Sequence, residues 1–193
     1  MPTPLYPVLK QRIDDAVRVF LQNQVTPWAF FRTDKTLTIR TFFGKEITYS
    51  GMQFEDTPRD VFWAQVDPFL QDMIGKEITA AVAMAKEREV DARLVLPEVQ
   101  ELLFSACKMI YERMLSIDQR LNSQSNPRGG DITIGGLFVR FEEIIGERIK
   151  GELALLKPQS KLRKWYTGNQ HIVFIVGTVL TVVGLVLKAF GLF

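Results

Sequence analysis

A chain of 193 residues, 47% hydrophobic and 24% charged, is long enough for one domain plus an appendage and too apolar to be disordered. Its net charge of +2 is uneven: all 22 acidic residues lie at or before Glu152, while five of the 24 basic residues follow it, leaving residues 1–152 at −3. An acidic body lacks the clustered cations with which duplex binders neutralise phosphates, so nucleic acid is not expected as a partner.

The first seven residues, Met1 to Pro7, have neither a basic n-region nor an apolar h-region, and no signal peptide is expected. Val8, Leu9, Ile13, Val17, Phe20, Leu21 and Val25 recur at three-to-four spacing, which predicts an amphipathic helix over 8–25, ended by Thr26-Pro27. The period then changes. Trp28 to Thr33, Thr36 to Phe43 and Glu46 to Phe54 are rich in β-branched and aromatic residues, with Asp34-Lys35 and Gly44-Lys45 as two-residue turns. That pattern predicts a three-stranded antiparallel meander with Leu37, Ile39 and Thr41 on the covered face. Helices must cover such a sheet, because it cannot stand alone.

Helical spacing returns at Thr57-Pro58, with Thr57 as the expected cap. One stripe joins Val66, Phe69, Leu70, Met73, Ile74, Ile78, Ala81, Val82 and Ala85, and Pro68 is expected to kink or break the helix. A second long helix is expected over 96–121. Its seam of Leu103, Cys107, Ile110, Met114, Ile117 and Leu121 could serve a coiled coil, but at under three heptads it reads rather as packing within the domain. Residues 123–131 read as a loop, and Leu137, Phe141, Ile144, Ile145, Ile149 and Leu153 mark a last helix of the body.

Chemistry-bearing motifs are few. The only histidine, His171, stands outside the body, which rules out His-based triads and His-rich metal sites within it. Cys107 is the only cysteine, so neither an intramolecular disulfide nor a cysteine zinc cluster can form; on an apolar seam it reads as a core residue. The glycine-rich run from Arg128 to Gly136 offers backbone amides to an anion, but no Gly-Lys-Ser/Thr follows and it reads as a connector. The acidic pairs Glu87/Glu89 and Glu142/Glu143 read as solvated helix surface. Trp28, Phe30, Phe31, Phe42 and Phe43 suit either a ligand groove or a core. No metal or cofactor is called for.

The end of the chain differs from everything before it. Ile172 to Leu187 carry no charge, and counting past Lys188 to Phe193 gives 22 residues. About 20 apolar residues cross a bilayer as a helix. Lys161, Arg163, Lys164, Trp165 and Tyr166 precede the run, placing cations and interfacial aromatics at its start, with Lys188 snorkelling at the far side. This predicts a body facing the cytoplasm and a single-pass C-terminal anchor. Gly177, Thr181, Gly184 and Gly191 fall near one stripe, where small groups let helices approach closely.

The expected architecture is α+β: an N-terminal helix, a small three-stranded antiparallel meander, two long helices, one further helix and a single transmembrane helix. Its parts are a soluble domain over 1–156, a basic and aromatic juxtamembrane linker over 157–170 and an anchor over 171–193. The expected function is non-enzymatic: recruiting or regulating a protein partner at the lipid bilayer, as a homo-oligomer. Two alternatives are an oligomeric membrane-disrupting effector and a membrane-proximal enzyme.

Overall fold

The computed structural model describes residues 2–54, 56–125 and 134–156, with the backbone alone at 123–125 and 134–138. The chain divides into a unit Met1–Leu153 and a unit Ala154–Phe193; of the second, only residues 154–156 are described. The first unit is mostly helical and carries one small hairpin.

Helix α1 spans Tyr6–Phe20 and starts with Pro7 in its first turn, where the missing amide costs nothing. Leu9, Ile13, Val17 and Phe20 are its buried face, as their spacing predicts. The helix does not stop at Thr26-Pro27. It widens into a π-helical turn, Leu21–Val25, and then tightens into a 3-10 turn, Thr26–Phe30, with Pro27 near its start. The first expected strand, 28–33, is therefore absent. At three residues per turn, Trp28 and Phe31 fall on the same side and are buried, while Phe30 between them is 72% exposed. A strand would have sent Trp28 and Phe31, three residues apart, to opposite faces.

The meander is thus a two-stranded antiparallel hairpin, β1 (Leu37–Arg40) and β2 (Glu46–Tyr49). Its register pairs Leu37 with Tyr49 and Ile39 with Ile47, and Ile39 and Tyr49 face the core. Thr38 and Thr48 share a hydrogen bond of 3.0 Å on the open face. The connection is not the expected two-residue Gly44-Lys45 turn. Gly44 N–H donates to Thr41 O (2.8 Å), Thr41 N–H donates to Lys45 O (2.7 Å), and Gly44 has φ +81°. This is a three-residue loop, Phe42-Phe43-Gly44, whose last position favours glycine because a Cβ is strained there.

Helix α2 (Asp56–Ala64) begins before Thr57, so Thr57 lies inside the first turn and is not the cap. The chain breaks at Gln65 and restarts as α3, Val66–Glu87, with Pro68 in its first turn. Glu89 adopts φ +55°, and Val90 N–H donates to Ala85 O at 2.9 Å, closing α3 with a left-handed cap. Helix α4 runs over Ala92–Ser125, longer than the seam alone requires. Asp91 accepts the Arg93 N–H at 3.1 Å and caps it, and Pro97 falls in its second turn. Helix α5 spans Ile134–Leu155 and buries Phe141, Ile145 and Ile149.

Helices α1, α3 and α4 pack on one another. Leu103, Cys107, Ile110, Met114, Ile117 and Leu121 are all buried, so the α4 seam is used up inside the fold. Among the described residues no helix is long and apolar enough to cross a membrane. The run 172–187 and its flanks lie outside them.

Candidate functional site

The membrane-interface residues Lys161, Arg163, Lys164, Trp165, Tyr166 and Lys188 and the packing residues Gly177, Thr181, Gly184 and Gly191 all lie outside the described residues, as do positions 128–133 of the glycine-rich run. The other motifs are resolved. Burial pushes the Cys107 thiol up to about 12, far from the range of a nucleophile at neutral pH. Glu142 and Glu143 are exposed on α5, and Glu89 serves as the cap of α3. Among the described residues no cluster of His, Cys, Asp and Glu could hold a metal ion.

The aromatics divide. Trp28 and Phe31 form a buried cluster with Tyr49, Phe54 and Phe62, most ring pairs meeting edge-on at 5.5–6.2 Å. Burial also raises the Tyr49 phenol, disfavouring its ionised form. Phe42 is half-buried against Phe69 (6.2 Å), whereas Phe43 at the tip of the hairpin is 81% exposed. Gln65, itself buried, holds this tip: its Oε1 accepts the Phe42 N–H (2.6 Å) and its Nε2 donates to Val61 O (2.7 Å). Arg40 lies across Gly44, within about 4 Å of where a Cβ would stand, and Lys45 follows. The tip therefore exposes one aromatic ring beside Arg40 and Lys45, with Glu46 opposite Arg40 across the strands.

Two arginine–carboxylate pairs connect distant parts of the chain. Arg59 Nε and Nη2 donate to the two Asp118 oxygens at 2.9 and 2.8 Å, and Asn122 Nδ2 adds a bond of 3.1 Å. Arg12 clasps Glu77 in the same two-pronged way, at 2.9 and 3.1 Å. These hydrogen bonds hold both guanidinium groups above the ordinary arginine range. Positions 59 and 118 gave no sequence signal, because a pair so far apart is visible only once the helices are docked.

A partly apolar opening lies between α4 and α5. It is a groove of about 340 Å³ lined by Pro97, Gln100, Glu101, Phe104, Glu142 and Ile145. Its lining combines the apolar Pro97, Phe104 and Ile145 with Gln100 and the exposed acids Glu101 and Glu142. Leu94, on the same face of α4 one turn before Pro97, is 62% exposed. Such a surface can take an apolar anchor carried by a cationic segment. Sequence reasoning missed it: Glu142 was visible as half of an acidic pair, but its neighbours on α4 were not. Comparison with protein-family models, with curated proteins and with solved structures found no match.

Proposed function

We propose that this chain is a C-terminally membrane-anchored module whose body faces the cytoplasm and which recruits or regulates a protein partner at the bilayer as a homo-oligomer, without catalysing a reaction. The observation that carries the reading is the uncharged run Ile172 to Leu187, entered through Lys161, Arg163, Lys164, Trp165 and Tyr166. The body supports it in two ways. Its one cysteine is sealed in the core and its one histidine lies beyond the body, so the usual nucleophile and base are not at its surface. Its α4–α5 groove offers apolar and acidic groups to a partner without any change of fold.

Fractionation tests the reading. The full chain should stay with membranes through high salt and alkaline carbonate and be released by detergent. Protease added to intact cells should spare the body. Recovery in the carbonate supernatant would overturn the anchor, and digestion of the body while cytoplasmic proteins survive would overturn the orientation.

A further inference from the structure

The hairpin tip and the α4–α5 groove are complementary. The tip presents Phe43, 81% exposed, beside Arg40 and Lys45. The groove presents Pro97, Phe104 and Ile145 together with Glu101 and Glu142. One side is an exposed aromatic ring with two cations and one carboxylate, Glu46, near it; the other is a groove with apolar groups and two carboxylates in its lining. We propose that the hairpin tip of one copy of this chain seats Phe43 in the α4–α5 groove of a second copy, with Arg40 and Lys45 facing its Glu101 and Glu142.

The occupant is a second copy on grounds of charge and shape, since in its own chain Phe43 is 81% exposed and does not line the groove. Phe42 is fixed beside the start of α3 through its amide bond to Gln65 and its ring contact with Phe69, and the two-stranded register leaves no slack behind it. A tip held in this way also loses little freedom on docking, so the contact keeps more of its gross interaction. Placing an exposed aromatic against the groove's apolar groups removes both from water, and opposed charges beside them fix which way the tip enters.

Tip and groove are different surfaces, so the contact is head-to-tail. Each copy keeps a free groove or a free tip until a ring closes or a filament extends. The inference deepens the homo-oligomer proposed above by naming its contact. Anchoring is an aid to it: copies confined to one membrane plane meet at a raised effective concentration and with their bodies on one side. The contact itself does not require a bilayer.

Zero-length carbodiimide crosslinking of the full chain tests it, because the reagent joins an amine to a carboxylate only where they touch. Mixed light and heavy-isotope copies are placed in neutral phosphatidylcholine vesicles, so that charge changes do not alter lipid attraction. Should the chain prove not to be anchored, the same mixture is treated in solution, which keeps failure of the anchor distinguishable from failure of the contact. The expected product is a mixed-isotope peptide joining Lys45 to Glu101 or Glu142. Lys45→Glu alone and Glu101→Lys alone should each cut crosslinked dimer about tenfold, and the two changes together should restore it. Phe43→Ala should cut it to a similar extent. All of these side chains are exposed on the surface or at a groove edge, and circular dichroism of each variant confirms the fold. The proposal is overturned if Lys45 joins only within its own chain, if the charge exchange fails to restore dimer, or if Phe43→Ala leaves the ladder intact, which would put the contact elsewhere, on the Gly177/Gly184 stripe for example. A product joining Glu101 to Lys161, to Lys164 or to a foreign protein would assign the groove to another occupant and overturn it equally.

Discussion

The inward face of the α3–α4 pair and the outward face that α4 shares with α5 use charge in opposite ways. Inward, Ile74, Ile78, Ala81, Leu103, Ile110 and Met114 close on one another, and the carboxylates admitted, Glu77 and Asp118, are each held by two bonds from an arginine. Outward, Glu101 and Glu142 stand beside Pro97, Phe104 and Ile145 in an open groove. Burial makes an unpaired charge costly, so inside the fold a carboxylate is tolerated only when its partner arrives with the packing. At the groove, solvent bears that cost, and the same residue type is left to choose among partners. Inward substitutions should therefore be read in stability, and outward ones in association.

The sharpest way to break that contrast is Asp118→Ala. Asp118 is 2% exposed, and its loss leaves Arg59, whose side chain is only 18% exposed, without its main partner. The expected loss is about 3–5 kcal/mol, the range for breaking a buried pair from one side. Urea unfolding of the full chain in mild detergent, followed through the buried Trp28, measures it. Asp118→Asn keeps one acceptor and the shape, and should cost clearly less. A loss under 1 kcal/mol for the alanine variant would mean that the inward face tolerates unpaired charge after all.

Cys107 extends the contrast to pH. Its thiol is raised from 9.0 to about 12 by burial, so the folded state disfavours the thiolate that the unfolded chain forms more readily. The folded pKa lies above the unfolded one. The associated stability is therefore complete below pH 9 and is lost as pH rises through about 12. At pH 8, the native thiol should react with a disulfide reagent roughly 10³-fold more slowly than the unfolded thiol, and Cys107→Ala should remove the reaction altogether. Rapid labelling of the native chain would show that the seam opens.

Arg12→Ala should be milder, though the bonding it removes resembles that of Arg59. Arg12's side chain is 46% exposed against 9% for Glu77, so water can replace the guanidinium on one side. A loss of about 1–2 kcal/mol is expected by the same urea titration. If Arg12→Ala costs as much as Asp118→Ala, exposure is not what separates the two pairs.

The sequence made some of this legible and hid the rest, for physical reasons. Helical periodicity located α1, α3, α4 and α5, because one-sided burial imposes a 3.6-residue spacing on whatever is buried. Strand reasoning failed over 28–33, where four apolar residues in succession have no period; the π-helical and 3-10 turns that place Trp28 and Phe31 inward depend on a core assembled from elsewhere. Cys107 was legible as core because it sits on the α4 seam. The groove was not, since Pro97, Phe104 and Ile145 belong to two helices whose docking no local pattern encodes. The tip was half-legible: the aromatics of the hairpin stood out, but the three-residue loop that half-buries Phe42 and turns Phe43 outward did not.

The smallest effect expected has the opposite sign. Gly75 lies in α3, and a Cβ built there would stand 2.6 Å from Arg148 Nη1, too close for both to remain. The clash is with the far end of a flexible, exposed side chain, not with backbone, so Arg148 can move aside by rotating about its own bonds. Against that stands the intrinsic gain of replacing glycine in a helix interior, about 0.5–1 kcal/mol, which arises largely because the unfolded chain has fewer states to lose. The guanidinium's contact with Gly75 is shared with water and is worth less. Gly75→Ala should therefore raise stability by about 0.5 kcal/mol. Urea midpoints of the single variant and of Gly75→Ala with Arg148→Ala decide the matter, because an arginine that merely rests on Gly75 should leave the two gains equal. A destabilised single variant, rescued by the second change, would show that Arg148 is seated there as firmly as a core residue, and that the outward face of α3 belongs with the inward one.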